Sequence, residues 1–195
     1  RRWSAPLTGA GVLLQAGGWL GGVPALVVLG GALAASGVAL FLWQAALWFR
    51  HRARPQLDPS LRQVVAALML LGAALLAGVG ALVTGRPQLV AAYGLLLIVG
   101  WLGVLVAAIY ARILPFLTWM HRYSPRVGEK GLPKVGDLVP VPWVRIGSRC
   151  WIAGIVVLAL AVAAGVPAAA LAGSALFACG TTVSLVLYAR LALRP

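Results

Sequence analysis

The sequence predicts an all-α protein, a polytopic transmembrane bundle of about six helices. Hydrophobic residues make up 62% of the 195 residues and charged residues only 10%, whereas a soluble domain carries about a quarter charged residues. The mean hydropathy is +0.99. The apolar residues form long Leu, Ala, Val and Gly runs. They do not form the alternating segments of about ten residues that a transmembrane β-barrel requires.

The first three predicted spans cover residues 5–22, 23–49 and 61–84. Gly21-Gly22-Val23-Pro24 is a strong turn signal between the first two, and proline is tolerated at a helix start. The second span ends in aromatic residues and a basic cluster, Arg50-His51-Arg52-Ala53-Arg54, which is typical of a membrane interface. Asp58 and Ser60 are candidate caps for the third span.

The last three predicted spans cover residues 88–120, 150–166 and 168–193. Between them lies a polar segment, 121–149, whose prolines rule out one continuous regular helix because proline breaks a helix interior. These prolines are Pro125, Pro133, Pro140 and Pro142. The segment is predicted to be a cytoplasmic surface loop, and loops of this length are often functional or contact a partner. Residues 1–195 are interpreted as one membrane domain.

The positive charge of the chain indicates its orientation. A net charge of +13 would suggest a nucleic-acid partner in a soluble domain. Here the basic residues lie at helix ends and in short loops, so we expect the lipid bilayer as the partner and no nucleic acid. With the N-terminus inside, every basic residue except Arg86 and Arg112 falls on the inner side. The positive-inside rule then predicts a multi-pass protein of the cytoplasmic membrane with both termini in the cytoplasm.

Several kinds of chemistry have no support in the sequence. The two cysteines, Cys150 and Cys179, show no metal-binding spacing and are interpreted as small apolar fillers. No predicted span contains a carboxylate, which argues against a proton-coupled transporter. No catalytic residue and no metal ligand is assigned. The chain begins Arg1-Arg2-Trp3 without an initiator Met, which fits either a processed protein or a fragment of a longer one.

Arg112 is the first candidate functional residue because it lies inside the apolar run 88–120. It precedes Met120 by eight residues, which corresponds to about 12 Å of helix. An ionisable residue inside a membrane helix is costly and suggests a function. Four counter-charges remain open: lipid phosphate reached by snorkelling, carbonyls freed by Pro115, another chain, or an anionic cofactor group such as a haem propionate.

His121 is the second candidate, at the inner end of the same helix. Histidine is the commonest metal ligand and a frequent haem ligand. An interfacial anchoring role beside Trp119 and Tyr123 is the alternative. His51 is a weaker candidate because the surrounding positive charge disfavours a metal. Small residues along the fourth span predict close approach of a neighbouring helix; these are Gly94, Gly100, Gly103, Ala107 and Ala111.

The fourth span also contains a stretch that resembles a known protein family. Gly100-Trp101, Tyr110 and the stretch from Arg112 to Tyr123, RILPFLTWMHRY, resemble bacterial membrane proteins distantly related to haem-copper oxidase subunit I, of the NnrS-like family, over residues 93–126. The resemblance implies a membrane subunit of a respiratory or nitric-oxide/metal-related complex, with haem as the cofactor and Arg112 and His121 as cofactor-contacting residues. With two histidines in all, the chain would be the latter half of such a fold or a relative without cofactors.

Two other functions remain open. One is a non-catalytic accessory or assembly subunit that docks other membrane subunits and holds no cofactor of its own. The other, less supported, is a transporter of small solutes. Whether the chain is an enzyme stays open from the sequence.

Overall fold

The computed structural model describes residues 3–51, 58–126 and 131–193, and these residues form helices and no strand. The predicted all-α fold is confirmed. In chain order the helices are α1 (Ser4–Leu20), α2 (Pro24–Arg50), α3 (Pro59–Thr84), α4 (Pro87–Leu95), a π-helical segment (Leu96–Gly103), α5 (Val104–Tyr123), α6 (Val141–Ala164) and α7 (Pro167–Leu193).

Five helical stretches are long and apolar enough to cross a membrane: Pro24–Arg50, Pro59–Thr84, Pro87–Tyr123, Val141–Ala164 and Pro167–Leu191. The third of these is one long rod made of α4, the π-helical segment and α5. Helix α1 has 17 residues, which is at the lower limit of about 17 for a span. The chain is therefore a multi-pass membrane protein whose apolar helices contact the lipid bilayer.

The segment between α5 and α6 contains more helix than predicted. Helix α6 begins at Val141, whereas the predicted span begins at Cys150. Pro140 caps this helix and Pro142 lies in its first turn, where a proline costs no intrahelical hydrogen bond. The rest of the predicted loop holds two short 3-10 turns, Ser124–Arg126 and Val135–Leu138. The loop residues 127–130 lie outside the described part of the chain.

The start of α3 differs from the predicted capping. Asp58 precedes the helix, but its side chain makes no cap hydrogen bond to the backbone. Instead the buried Ser60 donates its hydroxyl proton to Asp58 Oδ2 at 2.8 Å. Most of the predicted basic cluster, from Arg52 on, lies outside the described residues.

Glycines join two pairs of antiparallel helices at very short range. An ideal Cβ at Gly30 of α2 would lie 2.4 Å from the backbone nitrogen of Gln15 in α1, and one at Gly180 of α7 would lie 2.4 Å from that of Trp151 in α6. Real Cβ atoms do not approach a backbone this closely, so only glycine fits. In each helix the glycines recur about two turns apart: Gly11 and Gly18, Gly30 and Gly37, Gly147 and Gly154, and Gly173 and Gly180.

The fourth span contributes less close packing than its small residues predict. A Cβ at Gly94 would meet nothing within 4 Å, and one at Gly103 would meet only the carbonyl oxygen of Ile98 at 3.5 Å. Of these three glycines only Gly100 faces neighbouring helices, and a Cβ there would make ordinary van der Waals contacts, 3.4 Å from Leu70 Cβ on α3 and 3.6 Å from Ile155 Cγ2 on α6.

The buried core lies where α3, the π-helical segment, α5 and α6 meet. Ile155 and Val104 are fully enclosed, and Gly100 lies between α3 and α6. The cluster of buried core residues comprises Ala67, Leu70, Ala74, Leu96, Val104, Trp151, Ile155 and Ala159.

Candidate functional site

A cavity of about 510 Å³ lies beside this core, between α3, α5, α6 and α7. This is the bundle cavity. Its wall is mostly apolar, with a few polar groups distributed over three helices, which is the usual composition of a small-molecule site. The lining residues are Gln63, Val99, Gly103, Val106, Ala107, Tyr110, Leu114, Val144, Trp151, Phe177, Thr181, Ser184, Leu185, Leu187 and Tyr188.

Helix α5 contributes one face to the bundle cavity. Val106, Ala107, Tyr110 and Leu114 follow the three- and four-residue spacing that places side chains on one side of a helix. The π-helical segment precedes this stripe and contributes Val99 and Gly103. Short π-helical insertions are rare and occur frequently at functional sites.

Helix α7 supplies the hydroxyl groups of the opposite wall. Thr181 Oγ1 lies 3.0 Å from the carbonyl oxygen of Phe177 and 2.9 Å from that of Ala178, and Ser184 Oγ donates to Gly180 O at 2.9 Å. Both hydroxyl protons are therefore used within the helix. The oxygen atoms keep lone pairs, so at these two positions the wall offers acceptors rather than donors.

Gln63 is the most unusual residue of the wall. Its side chain lies on α3, only 6% exposed, and its Oε1 atom has no hydrogen-bond partner within the described part of the chain. A buried acceptor without a donor costs about 1–3 kcal/mol. The native fold keeps this polar group at an apolar wall, where a leucine would pack at lower cost.

The bundle cavity opens sideways between α5 and α7. Tyr110 and Leu185, which line the cavity from the two helices, are 56% and 70% exposed. The helices approach each other near their C-terminal ends, where Arg122 Nη2 donates to the carbonyl oxygen of Leu191 at 3.4 Å. The opening lies within the apolar stretches of both helices, and it therefore faces the hydrocarbon of the bilayer.

The two residues singled out by the sequence lie outside this cavity. Arg112 and His121 are both exposed on α5. Arg112 follows Tyr110 by two residues, about 200° around the helix, and so points away from the cavity stripe. Nine residues separate Arg112 from His121, about two and a half turns, and the two side chains leave α5 on opposite sides.

This separation bears on the haem expected from the resemblance. Their assignment as haem contacts stays a prediction, and their positions on opposite sides of α5 indicate that each would contact a haem separately. His51 places Nδ1 2.8 Å from the carbonyl oxygen of Leu47 in its own helix. Among residues 3–51, 58–126 and 131–193, no group of three or more His, Cys, Asp or Glu side chains could hold a metal ion.

Gly103, Ala107 and Tyr110 stand out in the sequence as packing or resemblance residues, but nothing there assigns them to a cavity, and Gln63, Thr181, Ser184 and Tyr188 do not stand out at all. Gln63 and Tyr188 lie in mostly apolar helices, and neither belongs to a recognisable motif. The available signal was a carboxamide in the first turn of a predicted span, where an uncharged polar group needs a partner. A second cavity, of about 620 Å³, lies near the end of α7 and is lined by Asp137, Trp143 and Arg190 among others.

Comparison with known proteins adds no relative to this picture. No protein-family model, no curated protein and no solved structure matches the chain significantly.

Proposed function

We propose that this chain is a scaffold subunit of a membrane complex and that it binds a partner subunit through the outward face of α5 around Arg112. Of the functions considered from the sequence, this is the non-catalytic accessory or assembly subunit. The kind of complex, respiratory or related to nitric oxide or metals, is supported by the resemblance over residues 93–126 alone.

The exposure of Arg112 carries this proposal. The residue is exposed at the edge of the buried side of α5, which carries Ala108 and Pro115. Exposed apolar side chains at helical spacing lie next to it: Ile109, Ile113, Phe116 and Met120. An arginine in the hydrocarbon region costs about 2.5–3.5 kcal/mol. A carboxylate on a partner helix removes this cost through a bidentate, charge-assisted pair.

Snorkelling of Arg112 to lipid phosphate is the competing explanation, and it requires no partner. Snorkelling and partner binding predict different effects of the substitution Arg112→Leu. Leucine is favourable at this depth, so the substitution leaves a snorkelling protein folded with its neighbours unchanged. If Arg112 instead binds a partner subunit, the substitution releases that partner.

The test is co-purification from the native membrane in mild detergent, followed by mass spectrometry. We expect Arg112→Leu to lose a stoichiometric partner that the wild type retains, with Arg112→Lys intermediate because lysine keeps the charge without the bidentate geometry. Arg86→Leu, at the other end of the bundle, is the matched control. Equal recovery of the same proteins with Arg112→Leu and with the wild type contradicts the proposal.

The cofactor-contacting version of the function is tested on the same preparations. Because Arg112 and His121 leave α5 on opposite sides, a haem near this helix would contact one of them and not both. A pyridine haemochrome spectrum with stoichiometric haem in the wild type, lost in His121→Ala and retained in Arg112→Leu, would support a contact at His121. A colourless wild-type protein that retains its partner supports the scaffold.

A further inference from the structure

We propose that the bundle cavity binds an uncharged amphiphile from the bilayer, a molecule with a hydrocarbon tail and a hydroxyl head that hydrogen-bonds to the amide of Gln63. The two sites share no residue, because none of Ile109, Arg112, Ile113, Phe116 and Met120 lines the bundle cavity. Either proposal can fail without the other.

The size and lining of the cavity indicate an apolar occupant. A volume of about 510 Å³ would hold about 17 water molecules at about 30 Å³ each. An ordered buried water needs two to four polar partners, and five polar side chains cannot supply them for so many. A hydrocarbon chain fills the same space against Val99, Val106, Trp151 and Phe177 without unmet hydrogen bonds.

The lining also selects an uncharged head. None of the residues that line the bundle cavity carries a formal charge at neutral pH. A charged head group would enter a low-dielectric site without a counter-ion, at high cost. Fatty-acid anions and most phospholipid heads are therefore disfavoured.

Hydrogen bonding favours a hydroxyl as that head. The Oε1 atom of Gln63 has no donor among the described residues, and the Thr181 and Ser184 protons are used within α7. A ligand that only accepts hydrogen bonds leaves the Oε1 atom of Gln63 unsatisfied. In its present position Oε1 is enclosed, and a half-turn of the amide exchanges its oxygen and nitrogen. The turned oxygen accepts the proton of a ligand hydroxyl, which can itself accept from the phenol of Tyr110 or Tyr188, which both line the cavity.

The position of Gln63 sets the direction of the ligand. It is close to the start of α3, at the same end of the bundle as the C-termini of α5 and α7. The cavity extends from there to Phe177, eleven residues before Tyr188, about 16 Å along α7. The head therefore lies near the membrane interface and the tail lies deeper, with entry through the lateral opening beside Tyr110 and Leu185.

The test uses two photoreactive probes with the protein in nanodiscs: a diazirine-bearing hexadecanol and its methyl ether, which lacks the hydroxyl donor. We expect the alcohol to label peptides that contain Tyr110 or Leu185, in competition with unlabelled hexadecanol. The ether should label them about five- to tenfold less, the effect of one hydrogen bond.

Two pairs of variants test separately the hydrogen bond to the head of the ligand and the space that its tail occupies. Gln63→Leu should reduce alcohol labelling to the level of the ether, whereas the matched Gln44→Leu on α2 should change nothing. Gly103→Leu places a side chain in the cavity, at a position where a Cβ meets only Ile98 O at 3.5 Å, and should abolish labelling by both probes. Gly94→Leu, where a Cβ meets nothing within 4 Å, is its control.

Two outcomes overturn the inference. Equal labelling of the wild type by alcohol and ether rules out the hydroxyl contact at Gln63. Labelling that survives Gly103→Leu comes from lipid around the protein and not from the cavity. A fluorescence-detected gel-filtration profile identical to that of the wild type shows that each variant used is folded.

Discussion

Gly154 of α6 lies directly against the backbone of Phe177 in α7: an ideal Cβ on the glycine would be 2.4 Å from the Phe177 nitrogen. No side-chain rotation relieves such a contact, because both partners are backbone. The hairpin of α6 and α7 can accept a side chain here only by moving its helices apart. The stability of the hairpin therefore depends on residue 154 having no Cβ atom.

Gly154→Ala should therefore destabilise the protein by about 1–3 kcal/mol or more, the range for overpacking a tight interface. Unfolding in SDS, followed by tryptophan fluorescence, measures the change. Gly94→Ala is the control, because no atom lies within 4 Å of its Cβ position. It should be neutral or stabilising by up to about 1 kcal/mol through helix propensity. Equal midpoints for both variants would contradict the role of the close contact.

Ile155→Ala should open a void in the core. Ile155 is 0% exposed and packs near Gly100 and Leu70. In a bilayer, moving the side chain from lipid to the protein core contributes little to stability, because both are apolar. We therefore expect the free energy of unfolding to fall only by the cost of the void, about 1–2 kcal/mol. The same SDS titration measures it. Ile98→Ala removes an equal side chain that is 63% exposed, and a loss of the same size there would argue against the core assignment.

Trp119→Phe should loosen the segment that follows α5. The indole Nε1 of Trp119 donates to the carbonyl oxygen of Pro133 at 2.7 Å, and Pro133 lies two residues before the 3-10 turn Val135–Leu138. Loss of a single hydrogen bond costs about 1 kcal/mol, so amide exchange in this turn should accelerate about fivefold. Hydrogen–deuterium exchange measures it, with the exposed Trp43→Phe as control. Unchanged exchange would show that the turn is held by other contacts.

The orientation predicted from the charges can be tested with single cysteines in a background of Cys150→Ser and Cys179→Ser. With an impermeant maleimide on intact cells, we expect Arg86→Cys to react and Lys134→Cys to react only after permeabilisation, because positively charged loops stay inside. The reverse pattern would invert the assignment of both termini.

Composition and apolar run length predicted the fold well. The helices α2, α3 and α7 lie close to the spans expected from the sequence, because about 20 apolar residues and interfacial charges leave few alternatives. The start of α6 was missed because Pro140 and Pro142 signal a helix start as readily as a break. Local sequence does not distinguish the two.

The site could not be predicted in the same way. Arg112 and His121 stand out because they are ionisable residues in an apolar sequence, yet both are exposed on α5 and neither lines the bundle cavity. Gln63, Thr181 and Tyr188 come from distant parts of the chain, and only the packing of α3 against α5, α6 and α7 brings them to one wall. The paired glycines carried a readable signal, since Gly147 and Gly154 repeat the spacing of Gly11 and Gly18.

The short helix α1 has a consequence for biogenesis. Its 17 residues extend about 25 Å, less than the hydrocarbon thickness of about 30 Å, so α1 alone is a weak membrane anchor. Its glycine contacts with α2 form over a short loop and need no later part of the chain. We therefore expect the translocation machinery to release α1 and α2 into the lipid as a pair, with α1 held in place by its neighbour rather than by its own hydrophobicity.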